Sequence, residues 1–471
     1  MFDPETLEVV MVSFEGPDQY SLAGGLGVRA RELTRAFAAA GYATTLVFVG
    51  DPALAPDEVV EGVRLLRWCQ EVSQHYPSGV YEGEWAKLET LNRTLPDALI
   101  ERVVAPAVRR GRMVAVLCEE WHTAAFCRRL SDRLDAVGLR RHAVLVWNAN
   151  NRFGWHEIDW PALGFTASTT TVSRYMKQLM LARGVNPVVI PNGIPESALI
   201  PPDRRAAAAI RGAGETPCLA FKIGRFTPDK RWIQAIDAIA ELRSGGLAAR
   251  LLMRGGIEPH GAEVLERARQ RGLSVCDWDE PVDGFEGVVR ALRASRGAAV
   301  VNLCRFLPER VIPEIDLAAT AVLANSGHEP FGLVGLEAMA AGGVAVVGAT
   351  GEEYARPYGN AVVIESDDGA EVAAALRGLV TRPGLARRLR RAARHDARGF
   401  AWPAVLEGLL ERLRYMSSHQ HVVSPEGAGP GGPAAAAAGA GRGAPDQAPT
   451  AGSRGTRLAA MDGESLPGAR R

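Results

Sequence analysis

Two glutamates, Glu329 and Glu337, stand eight positions apart in "HEPFGLVGLEAMAAGG" (328–343), at the two ends of a Gly-containing apolar run. A carboxylate accepts hydrogen bonds in pairs, and sugar and ribose hydroxyls are the donors that suit it. With Glu329 in the loop ahead of a helix and Glu337 about a turn and a half inside it, a rise of 1.5 Å per residue separates them by roughly 10 Å. That is the span from a sugar ring to a ribose across a diphosphate. The helix opened by Gly332 would present the unpaired N–H groups of Gly332, Leu333 and Val334 at its positive end. Arg225 and Lys230, in "GRFTPDK" (224–230), fall in a second loop between a strand and a helix. Arg, Lys and a helix N-terminus together can neutralise a diphosphate. Each feature taken singly has a plain alternative: an exposed mid-helix glutamate, or solvated loop cations. Apolar neighbours Leu336 and Met339, and Gly335 and Gly342, which permit close backbone approach, set Glu337 apart from the first.

The elements that must position these residues follow from periodicity. "LEVVMVSF" (7–14) reads as a buried strand, "GVRARELTRAFAAAGY" (27–42) as an amphipathic helix and "ATTLVFVG" (43–50) as the next strand. The rhythm continues through "MVAVLCEE" (113–120), a helix over 122–135, "HAVLVWNA" (142–149), "ASTTTVS" (167–173) and a helix over 174–183. "IPESALIPPDRRAAAAIRGAGETP" (194–217) interrupts it and reads as an interdomain linker. The pattern restarts with "CLAFKIG" (218–224) and runs through strands at 249–256, 297–303, 320–326 and 344–350. Such alternation predicts α/β architecture with two doubly wound, Rossmann-like parallel sheets, whose ligands sit beyond the C-terminal ends of the strands. The expected division is 1–200, completed by a C-terminal helix over 400–418, and 201–399. Past "FAWPAVLEGLLERLRYM" (400–416) the composition collapses into Ala, Gly and Pro, and 421–471 reads as a disordered tail.

A chain of 471 residues with 54 basic and 54 acidic side chains has no global field for nucleic acid or an anionic membrane. Six cysteines without a CxxC pair argue against a zinc knuckle and a disulfide framework. The acidic N-terminus lacks the pattern of a signal peptide, and no run approaches 18 apolar residues. A soluble, cytoplasmic protein is the expectation.

Set side by side, these segments resemble the retaining GT-B glycosyltransferases, the family that includes bacterial glycogen synthases and plant starch synthases. "EPFGLVGLE" is similar to that family's pair of glutamates, "GRFTPDKRW" to its diphosphate loop, "VIPNGI" (189–194) to its PNG turn and "AGGLGVRARELTRAFAAAGY" (23–42) to its Gly-rich first loop and helix. "EEWHTA" (119–124) resembles the "HDWHTA" of the starch synthases. The likeness covers about 8–415 in the family's order. It implies two domains facing across a cleft. It implies transfer of a hexosyl group, expected to be glucosyl, from a nucleotide diphosphate sugar to a carbohydrate or small-molecule acceptor such as a glucan. It also implies retention of configuration and no cofactor or obligatory metal. By the same resemblance Arg225 and Lys230 would bind the diphosphate, Glu337 the ribose and Glu329 the donor sugar. Gly24 and Gly25 would approach the phosphates from the other domain, and Glu120, His122, Trp147 and Asn148 are candidates for the acceptor side. Leu22 stands where the starch synthases carry Lys, and Trp147 where they carry His, which leaves the donor nucleotide open.

Other readings compete. Gly25, Gly27 and Ala30 satisfy GxGxxA, with Asp51 about 20 residues on, as in an NAD-dependent dehydrogenase. Against it, nine residues separate the strand ending at Phe14 from Gly24, and the fingerprint needs its glycines directly after the strand. "DWD" (277–279) matches a short metal-binding motif of GT-A enzymes but is expected about once by chance in such a chain, so it reads as a surface loop. "ARRLRRAARHDAR" (386–398) could bind polyanions or form a solvated helix face. A catalytically inactive sugar-binding protein of the same fold is the alternative from another class.

Overall fold

The computed structural model describes residues 2–425; the part of the expected tail from 426 on lies outside them. Two twisted sheets carry the chain. The first has eight strands, in spatial order Asp57–Val60, Val63–Trp68, Ala43–Val49, Leu7–Val12, Met113–Glu119, Ala143–Ala149, Ser168–Thr171 and Val188–Val189. Only its edge hairpin, Asp57–Val60 with Val63–Trp68, is antiparallel. The second has seven, in order Val275–Trp278, Val300–Leu303, Ala249–Arg254, Cys218–Ile223, Ala321–Ala324, Ala345–Val347 and Val362–Val363. Every central strand is buried on both faces, and its near-continuous Val, Leu and Ala run suits a sheet covered by helices on both sides. The architecture is two Rossmann-like parallel-sheet domains, the GT-B arrangement.

Strand order reverses once in each sheet. In the first the reversal lies between Leu7–Val12 and Met113–Glu119, in the second between Cys218–Ile223 and Ala321–Ala324. Neighbouring loops diverge at such a point and open a crevice. The loops leaving these four strands carry Glu15 to Gly24, Glu120 to His122, Arg225 to Lys230, and Asn325 to Gly332.

Three expected elements differ. The proposed linker contains the helix Arg204–Gly214, which packs on Phe285–Ala294 and Ile312–Ala318 and so belongs to the second domain. Asp203 caps it by accepting from the Arg205 N–H at 2.7 Å, and Ala206, Ala207, Ile210 and Ala213 are buried. Prolines 201 and 202 and small alanines gave it the composition of a linker although the alanines fill a tight interface. "DWD" is not a loop throughout: Asp277 and Trp278 end the edge strand, where Asp277 accepts from Asn302 and Asp279 pairs with Arg305. The last helix, Trp402–His419, crosses back to the first domain and buries Leu406, Leu409 and Leu413 against it. Its entry is fixed where Ile194 and Ala401 bridge and the Trp402 ring fills the space a Cβ on Gly193 would need. The ordered chain then continues past 421: Gln420 bonds the Leu145 backbone and Ser168, and the Val423 N–H donates to the Arg141 carbonyl. Residues 421–425 are therefore placed against the first domain rather than in the expected tail.

Candidate active site

The second domain's switch point brings Lys230 and Glu329 together at 2.5 Å, each side chain about four-fifths buried. Two loops distant in sequence are fastened there, because the Gly327 N–H also donates to the Asp229 carbonyl at 2.7 Å. The backbone of Glu329 is held in turn by Thr350 and Gly351. Gly332 follows at φ 78°, a left-handed conformation that favours glycine, and a Cβ there would press on Glu329 and Glu352. The helix Leu333–Ala341 has no side-chain cap, so the amides of its first turn point outward unclaimed. The Tyr354 hydroxyl donates to the Gly332 carbonyl and fixes the approach to that turn. Arg225 is exposed, with its carbonyl tied to the Trp232 indole. The Glu337 side chain is exposed on the helix Leu333–Ala341. Desolvation by the surrounding protein, with Glu309 nearby, raises its pKa.

Two further groups stand at this site that sequence reading did not single out. Lys222 is buried in the central strand, its ammonium donating to the Leu323 carbonyl and the Asn325 side chain; desolvation lowers its pKa to about 7. Glu352 is buried beside Glu329 and Gly332, one oxygen accepting from Thr350 and the other without a partner; burial raises its pKa to about 7. A charge inside "LAFKIG" and the acid pair in "TGEEY" just past a strand end were the available signals.

The first domain's switch point is closed by its own side chains. The buried Glu15 carboxylate accepts from the Gly24 N–H at 2.8 Å and the Gly27 N–H at 3.0 Å, and from the Tyr81 hydroxyl at 2.5 Å. The Gly24 amide is thus turned to an internal anion, while Gly24 and Gly25 themselves are exposed. Arg29 pairs with buried Glu119 and donates to Asn192 of the PNG turn. Trp147 is a core residue, wholly buried, with its indole N–H on the Glu120 carbonyl. Asn148 is buried between Glu119 and Thr170. His122 is stacked on Phe14 and bonds Glu84 at 2.7 Å, and desolvation lowers its pKa. Glu120 differs from these three. It is held at φ 67° and ψ 171°, a region that costs a non-glycine residue about 1–3 kcal/mol. Its buried carboxyl accepts from the Asn150 and Asn151 amides, leaves one oxygen unpartnered, and is pushed by burial to a pKa of about 8.

The family described as "Glycosyl transferases group 1" matches residues 285–396, the stretch that holds Glu329, Glu337 and Glu352. That stretch resembles a group 1 glycosyl transferase domain. Among curated proteins the chain is similar to a D-inositol 3-phosphate glycosyltransferase of Geodermatophilus obscurus, 28% identical over 50% of this chain and 49% of that one. It is also similar to a GDP-mannose-dependent α-(1-6)-phosphatidylinositol dimannoside mannosyltransferase of Mycobacterium tuberculosis, 31% identical over 49% of this chain and 53% of that one. The chain spans about half the length of the curated relatives it matches. Among solved structures, the sucrose-phosphate synthase of Thermosynechococcus elongatus superimposes with a TM-score of 0.60 over 88% of this chain and all of that one, at 20% identity. An E. coli trehalose-6-phosphate structure bound with UDP-2-fluoro glucose gives 0.58 over 86% and 99%, at 15% identity. Both likenesses show the fold. In the crevice the topology opens, the paired cation and carboxylate of Lys230 and Glu329 meet the uncapped helix; Glu329 and the helix lie in the matched stretch and Lys230 outside it. A dinucleotide loop has no comparable support, since Glu15 sits where a pyrophosphate would need bare amides.

Proposed function

We propose that the chain is a retaining hexosyltransferase that uses a nucleotide diphosphate sugar. The observation that carries this reading is the meeting of Lys230, Glu329 and the uncapped N-terminus of Leu333–Ala341 at the second switch point. The donor's diphosphate would lie on those amides with Arg225 and Lys230 beside it, its ribose on Glu337 and its sugar near Glu329. Lys230 is paired with Glu329 beforehand, so both side chains are already ordered when the diphosphate takes the ammonium. In the reaction the anomeric carbon–oxygen bond to the diphosphate breaks as the acceptor oxygen bonds the same face. The acceptor's proton passes to the departing phosphate oxygen. No protein nucleophile is required, and stabilising the leaving group is the main catalytic term. Because protein cations face the diphosphate, no metal is obligatory, and turnover should survive EDTA. Complete loss restored by Mn²⁺ would overturn that part.

The relatives' names direct the acceptor reading toward a small hydroxylated or phosphorylated polyol as much as toward a glucan. UDP-glucose, GDP-mannose and NAD, each tested by thermal shift, separate the readings. A donor at 100 times its dissociation constant stabilises by about 2.7 kcal/mol. Stabilisation by NAD and by neither nucleotide sugar would sink the transferase. Nucleotide-sugar binding without hydrolysis or transfer would point to an inactive sugar-binding protein.

A further inference from the structure

The basic run 386–398 finds a place in the fold that the donor site does not use. The helix Pro383–Ala397 turns Arg390, Arg391 and Arg394 toward Arg204 and Arg211, and the five line one cavity of about 460 Å³ with Pro201 and Pro202. Among the described residues no carboxylate lines it. Asp203 caps the helix after it, and Asp396 is engaged by Arg356 and Asn360. Every hydrogen bond of Arg211, Arg390 and Arg394 among the described residues ends on a backbone carbonyl. Arg211 and Arg390 hold Leu317, Ala318, Ala319 and Gly342 at the ends of two helices, and Arg394 holds Leu199. A helix C-terminus carries roughly half a negative charge, so two such ends offset about one of five positive charges. The remainder is uncompensated, and burial with Arg211 nearby lowers the Arg390 pKa to about 10. Arg204 and Arg391 are exposed and have no hydrogen-bond partner among the described residues.

We propose that this cavity is a second anion site, taking a small metabolite that bears a phosphate ester or diphosphate. The guanidinium fork matches phosphate oxygens two at a time, and a concave pocket of this volume suits a small molecule better than a membrane surface. Its position gives it leverage. The cavity is walled by 199–202, where the chain passes from one domain to the other, and by the helix that leads to the return crossing at Ala401. An anion held there would tie the two connections together.

Calorimetric titration of the full chain with inorganic pyrophosphate tests it, using Arg204→Ser with Arg391→Ser against Arg225→Ala with Lys230→Ala. Both serine replacements fall on exposed side chains, and an unchanged melting temperature without ligand checks the fold. Binding should persist in the Arg225/Lys230 variant and weaken about ten-fold to a hundred-fold when Arg204→Ser and Arg391→Ser are added to it, while Arg204→Ser with Arg391→Ser alone leaves affinity for nucleotide sugar unchanged. Equal binding in the Arg225/Lys230 variant with and without the two serine replacements overturns the site. So does binding that vanishes at about 0.15 M salt, where diffuse attraction beyond roughly 8 Å is screened. Sedimentation with phosphatidylinositol-phosphate vesicles, without binding of free pyrophosphate, would replace the metabolite by a membrane.

Discussion

At the scale of single residues, the two glutamates separate by what each touches. Glu337→Ala should weaken free nucleotide and intact donor alike by about 1.5–3 kcal/mol, the range for a hydrogen bond to a charged group. Glu329→Ala should not: it frees Lys230 from its 2.5 Å pair, so affinity for the bare nucleotide should hold or rise while transfer collapses. Calorimetry with the nucleotide decides it, and equal losses in both variants would mean the helix does not lie along a donor. Glu352 makes a test by pH. Its folded-state pKa of about 7 lies above the ordinary 4.5, so the native state holds a proton the unfolded chain has released between those values. Its stabilising contribution is full below about pH 4.5 and is lost as pH rises through 7, a swing of roughly 3 kcal/mol. Lys222, with its pKa lowered, runs the other way above pH 7, so the comparison must be a difference. Glu352→Gln should match wild type in urea near pH 4.5 and exceed it near pH 8. A constant difference across that range would refute a buried, protonated Glu352. Of these residues, Glu329, Arg225 and Lys230 could be singled out from the sequence because they are loop residues at strand ends, which are free to be chosen for chemistry, and Glu337 by its spacing from Glu329. Glu352 and Lys222 could not be, because only tertiary burial makes them unusual.

At the scale of elements, periodicity located the central strands to within about three residues, since strands buried on both faces have few alternatives to an apolar run. It failed where a short element draws its stability from a neighbour. The alanine face of Arg204–Gly214 has little apolar signal of its own, and the four-residue edge strand Val275–Trp278 is interrupted by Asp277 and nowhere fully buried. The chain's end shows the same limit. Composition places the last ordered residue near 420, yet Gln420 gives and accepts bonds with the Leu145 backbone, and His142 bonds the Val423 carbonyl at 2.8 Å. Each such bond contributes about 0.5–1.5 kcal/mol. A chain ending at Met416 should therefore unfold at lower denaturant than one ending at Pro425, by roughly 2–4 kcal/mol for the lost set. Identical midpoints would show that the 417–425 segment adds nothing to the first domain.

At the scale of the whole molecule, the two sheets and their facing switch points were readable, but the contacts that close them were not, because they pair residues 153 to 179 positions apart. Arg174, at the start of the first domain's helix Arg174–Leu181, pairs with Glu353 at 2.6 Å, and Tyr175 bonds His328 at 2.6 Å. Glu353 follows Glu352 and His328 precedes Glu329, so the clasp grips the second domain by the two loops that form its site. Arg174 is 80% exposed, and an exposed pair contributes about 0–1 kcal/mol. Such a clasp can shift the balance between open and closed forms up to about five-fold without bearing on global stability. Arg174→Ala should accordingly melt with wild type and lose up to about five-fold in kcat/KM. Salt supplies the decisive comparison, because raising it from about 0.05 to 0.5 M shortens the screening length to a few ångströms. Wild-type kcat/KM should fall toward that of the variant, while the variant, with no pair left to screen, should respond less. Parallel salt profiles for the two proteins would show that the clasp has no part in closing the cleft.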